Sequence, residues 1–463
     1  MAEIVPFRAL RYSPRFVPDL KLVVAPPYDV ISPEAQERYH ARHPHNVVRL
    51  ILSKQGEAGT PDQDRYARAA RTFTAWQVEG ILARDPQPGI YVSEQEFSLG
   101  EAHRVRRRGF TALVRLARYD EKIVFPHERT FAKYREDRLR LMRACPANLD
   151  PVFGFYPGPD GPVRAILDRC VEADPQVQLV DEDGIRHRMW ILREPASVAG
   201  LVQALRDKPI IIADGHHRYE TALAFRDERR MRDNVAVGAE PPRLHDFVLM
   251  YLVSAEDPGL VILPTHRVIR QRPVVTQDGL RRALERHFRM EVFPLDPGNP
   301  VMSLRIALAD IHRRHRDAVL FGLYAGGREL IVLDLSDTTV VRDLVATGHS
   351  WVFARLDVAI LHRVVIEQIL GIRSAGQADD SIHYTRDEGQ ALAAVASGEA
   401  HLALFQNPPR VEQVQAAALA GERMPQKSTF FYPKVLSGLV INPLDPTEPV
   451  PAWGSPHTAG IHS

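Results

Sequence analysis

Cysteine is nearly absent: Cys145 and Cys170 are the only two thiols in 463 residues. Two thiols build neither a disulfide framework nor a four-cysteine zinc site, so the expected setting is a reducing cytoplasm. Long apolar runs are missing as well. No stretch approaches the roughly twenty apolar residues that span a bilayer, and "MAEIVPFRALRYSPRF" at the start lacks the apolar core of a signal peptide. No membrane partner is expected. Nor is one sign of charge in excess, since Lys and Arg total 59 against 58 Asp and Glu. That balance argues against a general nucleic-acid binder, although "RVRRR", Arg104 to Arg108, is a candidate local basic patch. Several catalytic signatures are missing too. There is no Gly-x-Gly-x-x-Gly after a strand, no P-loop glycine spacing, no Gly-x-Ser-x-Gly elbow and no His-Glu-x-x-His, which disfavours dinucleotide, Walker-type, serine-hydrolase and zincin chemistry.

What is present describes a globular protein, with 45% hydrophobic and 25% charged residues. The length implies two or three domains. The reading is an α+β protein of mixed sheets and helices. Residues 1–271 form a first α+β region with a β-rich insertion at about 89–200, and 272–445 form a C-terminal α/β region after a compositional break at Arg272-Pro273. Residues 446–463 make a loose tail rich in Pro and Gly. Local signals predict a helix from Pro33 capped by Ser32, a helix over Asp62 to Glu79, a hairpin over Gly89 to Tyr119 turning at "GEAH", and a hairpin about Asp183-Gly184. Residues 245–270 read as two strands around Asp257-Pro258-Gly259.

The most informative stretch is "KPIIIADGHHRYETALAFR", Lys208 to Arg226. A short β-branched apolar run predicts a buried strand, and Tyr219, Ala222, Leu223 and Phe225 supply the apolar face of a following helix. Asp214, Gly215, His216, His217 and Arg218 therefore occupy a strand-to-helix turn. Free N–H groups and the positive end of the helix dipole make such a turn favourable to anions, phosphate above all. Gly215 permits positive φ or close approach, and Arg218 can grip phosphate bidentately. His216 and His217 titrate near neutrality and could move protons, while Asp214 could orient an imidazole or bind Mg2+. The competing reading is purely structural, with Asp214 capping the helix and the histidines satisfying backbone. Adjacent histidines on a helix point in different directions, so they do not share one metal.

Other clusters add candidates. "HERTFAKYREDRLRL" holds His127 and Glu128 after Pro126, then Arg129, Lys133, Asp137 and Arg138, which either face a substrate or decorate an exposed helix. "KSTFFYPK" holds Lys427, Ser428, Thr429 and Lys434, groups suited to phosphate or to a terminal strand with incidental lysines. "APPYDVIS" places Tyr28 and Asp29 in a rigid wall or a packing turn. "LPTHR" offers Thr265, His266 and Arg267 at a strand end, with a satisfied core histidine as the alternative.

The blocks "PPYDVIS", "HERT" through "RACPANLDPVF", "ADGHHRYETAL", "LPTHR" and "MPQKSTFFYPKVLSGLV" occur in an order that resembles the bacterial and archaeal family called domain of unknown function 1015. The Asp-Gly-His-His-Arg turn is also similar to the signature of the ParB and sulfiredoxin superfamily, including its free-serine kinases. For Asp214 to Arg218 this resemblance implies a nucleotide-phosphate site, and for Glu128 or Asp29 the catalytic carboxylate. ATP or ADP and Mg2+ are the implied cofactors. The leading expectation is a nucleotide-dependent phosphotransferase acting on a small molecule, with a free amino acid such as serine as acceptor. Phosphomonoester hydrolysis and a nucleotide-responsive DNA-partitioning module are the alternatives. Neither the metal nor the oligomeric state is specified by the sequence.

Overall fold

The computed structural model describes the chain except residues 55, 57–62, 100–102, 235–240, 272–275, 315–317, 373–380 and 452–463. The middle of the expected "GEAH" turn, the break at Arg272-Pro273 and most of the expected tail lie outside the described residues. Two compact units emerge. The first takes Met1–Pro126, Thr130–Val261 and the chain from Pro433 onward, and the second takes His127–Arg129 and Ile262–Tyr432.

A nine-stranded sheet organises the first unit. Across it run Val124–Phe125, Ile210–Asp214, Val152–Tyr156, Phe247–Ser254, His103–Arg115, Ile90–Leu99, Arg186–Leu192 and Val177–Val180, with Ile4–Val5 also paired to His103–Arg115. Ile210–Asp214 runs parallel to Val124–Phe125, Phe247–Ser254 runs parallel to Val152–Tyr156, and the remaining pairs are antiparallel. This is a mixed sheet, and the fold is α+β. The strands of segment 89–200 belong to the same sheet as the motif strand, except Ala147–Asn148, which pairs with Asn442–Pro443. Burial follows from sequence: Ile210, Ile211 and Ile212 are fully buried, as expected for a central strand covered on both faces. Ser32 caps the helix Pro33–Arg42 by accepting from the Ala35 N–H at 3.2 Å, and Gly184 takes φ +75° at the turn between Val177–Val180 and Arg186–Leu192.

The second unit is built on a six-stranded sheet in the order Phe288–Pro294, Glu329–Leu335, Leu320–Tyr324, Leu402–Gln406, His266–Ile269, Ile382–Thr385. Every neighbouring pair is antiparallel. Along Leu402–Gln406 the side chains alternate. Leu402 and Leu404 enter one apolar core with Ile269 and Phe321, while Ala403 and Phe405 enter another with Leu304 and Leu392. The two strands read between residues 245 and 270 thus diverge: Phe247–Ser254 lies in the first unit's sheet and His266–Ile269 in the second's.

The basic run at Arg104 to Arg108 does not form a single patch, because a strand sends successive side chains to opposite faces. Arg106 and Arg108 face Glu96 and Glu94 across the pair Ile90–Leu99 and His103–Arg115, and both are ion-paired with them. Arg107 points the other way and is fully buried, stacked 4.7 Å from the Phe153 ring centroid.

Candidate functional site at the Asp214 corner

The motif strand ends irregularly. Ile212 stands opposite Gly154 and Asp214 opposite Phe153, so one extra residue is accommodated between them. Such a bulge re-aims the side chain beyond it. Gly215 then takes φ +90°, and a Cβ there would stand 2.9 Å from Cζ and Nε of Arg218. Glycine is therefore required twice, for the left-handed backbone and for the guanidinium beside it. The helix His216–Arg232 follows directly, with no side-chain hydrogen bond from its N-cap residue.

Asp214 is shared by two cations. Its Oδ1 accepts from Lys434 Nζ at 2.9 Å and its Oδ2 from Arg218 Nη2 at 2.8 Å. Arg218 Nη1 also donates to the Pro151 carbonyl. Burial alone would raise the Asp214 pKa, but Lys434 and Arg218 outweigh it and hold the carboxyl well below its usual range. Burial likewise opposes the Arg218 cation, and the nearby carboxylates Asp214, Asp29 and Asp150 overcome it, so its pKa is raised.

Three further groups surround this triad. Asp150 is buried, and that burial pushes its carboxyl pKa up in spite of Arg218 and Arg138. Among the described residues, Asp150 Oδ1 and Arg218 Nε have no hydrogen-bond partner. Tyr28 lies beneath Arg138, whose Cζ is 4.0 Å from the ring centroid. Burial first, then the charge of Asp29, raises the Tyr28 phenol pKa. Asp29 itself is exposed on the short turn Tyr28–Val30.

The two histidines separate as helix geometry requires. His216 is buried and its charge would act on Asp214. His217 Nε2 accepts from the Phe131 N–H at 2.9 Å, so that nitrogen carries no proton and Nδ1 carries it in the neutral ring. The His217 imidazole stacks on Phe131 with centroids 6.4 Å apart and meets Tyr134 edge-on.

His127, Glu128, Lys427, Ser428 and Thr429 belong to the second unit, whereas Lys434 belongs to the first. The His127 Nε2 and Thr429 Oγ1 atoms are 2.8 Å apart, and the Lys427 N–H donates to Glu128 Oε1 at 3.0 Å. The buried Ser428 hydroxyl donates to the Pro425 carbonyl. Lys427 is exposed with φ +53°. In the same unit Arg267 is fully buried, donating to His362 Nε2 at 3.3 Å and to the Thr265 carbonyl, and burial pushes its pKa down to about 10.

Asp150 lies in the block "PANLDPVF" and belongs to none of the chemical clusters that the sequence marks. An acidic residue before proline at the mouth of an all-apolar strand is the signal that points to it. Arg138 belongs to the charged run that reads either as facing a substrate or as an exposed helix face, and it is buried, donating to the Ile51 carbonyl at 2.6 Å.

The chain belongs to the family described as "Protein of unknown function (DUF1015)", whose model matches residues 4–359. No curated protein matches it. Among solved structures it is similar to a conserved hypothetical protein from Pyrococcus furiosus, at 14% identity and TM-score 0.29, covering 67% of this chain and 90% of that one. It is also similar to a free serine kinase in complex with AMP, at 14% identity and TM-score 0.29, over 67% and 86% of the two chains. A third is SbnI with a C-terminal truncation from Staphylococcus aureus, at 12% identity and TM-score 0.33, over 72% and 87%. Likenesses of this size carry no weight for the ligand or activity of this chain.

Proposed function

We propose that the Asp214 corner binds the phosphates of a nucleotide and that the protein transfers a phosphoryl group between that nucleotide and the hydroxyl of a small molecule, a free amino acid such as serine being the acceptor class. The observation that carries this reading is the Lys434–Asp214–Arg218 triad at the start of the helix His216–Arg232. Two cations flank one carboxylate beside a helix N-terminus that no N-cap side chain occupies. That combination favours a polyanion. Arg218 Nε, buried and unpartnered among the described residues, is a spare donor.

In the forward direction the acceptor hydroxyl oxygen bonds to the γ-phosphorus, the bond from that phosphorus to the β–γ bridging oxygen breaks, and the hydroxyl proton leaves. His216, buried at the start of the helix where its charge acts on Asp214, is the group assigned to that proton. Lys434 and Arg218 neutralise charge on the equatorial oxygens. Magnesium takes hard carboxylate oxygens. Both Asp214 oxygens are engaged by cations, so Asp29, exposed at the edge of the corner, would hold the ion, which when bound neutralises phosphate charge. Asp150 and Tyr28 line the acceptor side in this reading.

A coupled assay of ADP formation tests the proposal, with ATP, Mg2+ and a panel of hydroxylated amino acids. Acceptor-dependent ADP release that disappears in Arg218→Ala, with the fold intact by circular dichroism, is the expected result. Phosphate release from phosphoserine without nucleotide would redirect the same anion site to hydrolysis.

A further inference from the structure

The second unit contains a cavity of about 300 Å3, lined by Pro264, His266, Leu304, Leu308, Glu388 and Gln406 among others. It lies between the sheet and the helices Pro300–Arg314 and Glu388–Ala396, which supply Leu304, Leu308 and Glu388. Two polar side chains face it from adjacent strands, His266 and Gln406, each 2% exposed. Among the described residues, both ring nitrogens of His266 and both amide atoms of Gln406 have no hydrogen-bond partner. Four unmet polar atoms at one buried place are unusual. Each buried donor or acceptor left unpaired costs about 1–3 kcal/mol, and a folded chain tolerates that where something else completes the bonds.

We infer that this cavity is a second binding site, for a small uncharged molecule carrying a carboxamide or lactam group, the chemistry shared by simple carboxamides and pyrimidine bases. The volume falls at the lower end of ligand pockets, about 300–1,000 Å3. The Gln406 side chain offers one acceptor and one donor group, and a neutral imidazole offers one of each. An amide-type edge presents the complementary pair. The interior carries no net charge to hold an ion. Burial pushes the His266 pKa down to about 4, which keeps the ring neutral near pH 7, and the charges at the side of the cavity, Arg305 and Glu388, cancel in an ion pair at 2.9 Å. A charged ligand would lose its hydration without a counter-charge. The apolar walls from Pro264, Leu304 and Leu308 fit the rest of a small ring.

Titration calorimetry of the full chain with nicotinamide and with uracil tests this. Both probes lack phosphate, so the outcome is independent of the Asp214 corner. At least one probe is expected to bind saturably with Kd below about 1 mM, and Gln406→Leu should weaken it at least tenfold while leaving the melting temperature unchanged or higher, because the substitution removes two unmet polar atoms. Leu308→Trp, which fills the cavity from the partly exposed helix side, should abolish binding and serves if Gln406→Leu fails to fold. Absence of binding by both probes, meaning a cavity that holds water alone, overturns the inference, as does binding that survives both substitutions.

Discussion

Lys434 Nζ sits 2.9 Å from Asp214 Oδ1 although 220 residues separate them in sequence. The contact joins the chain's last described stretch to the end of a central strand, and it turns a lone acidic residue into the middle of a triad with Arg218.

Removing the lysine isolates the consequence. With side chains 12% and 16% exposed, Lys434 and Asp214 are largely desolvated, so Lys434→Met should cost about 2 kcal/mol, less than a fully buried broken pair because Arg218 remains. Urea unfolding monitored by circular dichroism measures it. Double substitution with Asp214→Leu should add to that loss, since Arg218 then keeps a buried charge without the carboxylate that pairs it.

Gly215→Ala combines two penalties. The left-handed φ costs on the order of 1 kcal/mol for a residue with a Cβ, and that Cβ would stand 2.9 Å from the Arg218 guanidinium. A stability loss of about 1–3 kcal/mol is expected, together with weaker nucleotide binding, whereas alanine at the open, positive-φ Gly398 should reproduce only the backbone part.

Asp150 should show a conflict between stability and function. Its folded pKa is raised by burial, so its effect favours the fold below the ordinary carboxyl pKa and is lost as pH rises through the raised value. Asp150→Asn is therefore expected to be at least as stable as the parent at pH 7, yet impaired in phosphoryl transfer. A destabilised Asp150→Asn protein at neutral pH would contradict the role given to its charge.

Four buried histidines, His40, His245, His266 and His362, set the acid limb, each with a pKa lowered by burial. Burial pushes both His40 and His266 down to about 4. A depressed histidine contributes stability that is complete above the unfolded pKa of about 6.5 and is lost as pH falls toward the folded value. Between about pH 7 and about pH 5 His40 and His266 should each cost on the order of 2 kcal/mol. The lowered Asp214 pKa acts in the same direction further down, with loss beginning near the ordinary carboxyl range. His40→Gln, which removes one of the first unit's depressed rings, should flatten the slope measured in denaturant titrations at a series of pH values.

The corner itself is legible in the sequence because its causes are local. An isoleucine run, an Asp-Gly step and a helical apolar face fix strand, turn and helix within one short stretch. The bulge between Ile212 and Asp214 is not legible, since it depends on where Gly154 falls in the neighbouring strand. Lys434 stands out for its charge, but its partner is set by sheet assembly. The segment "KSTFFYPK" reads as one cationic run, yet its first three polar residues and Lys434 belong to different units, because the chain passes from one to the other at Pro433. Asp150 escapes sequence reasoning, and so does the burial of Arg138, because burial is a tertiary property that the local pattern around each residue does not set. The divergence of Phe247–Ser254 and His266–Ile269 likewise depends on which sheet each strand joins.

The most direct measurement is calorimetric titration of ADP with Mg2+ into the wild-type chain and into Lys434→Met, each checked for intact fold. Saturable binding to the wild type, weakened at least tenfold (about 1.4 kcal/mol) in the variant, is the predicted result. Absence of binding to the wild type, or equal affinity in the two proteins, would contradict the assignment of the Asp214 corner as a nucleotide-phosphate site.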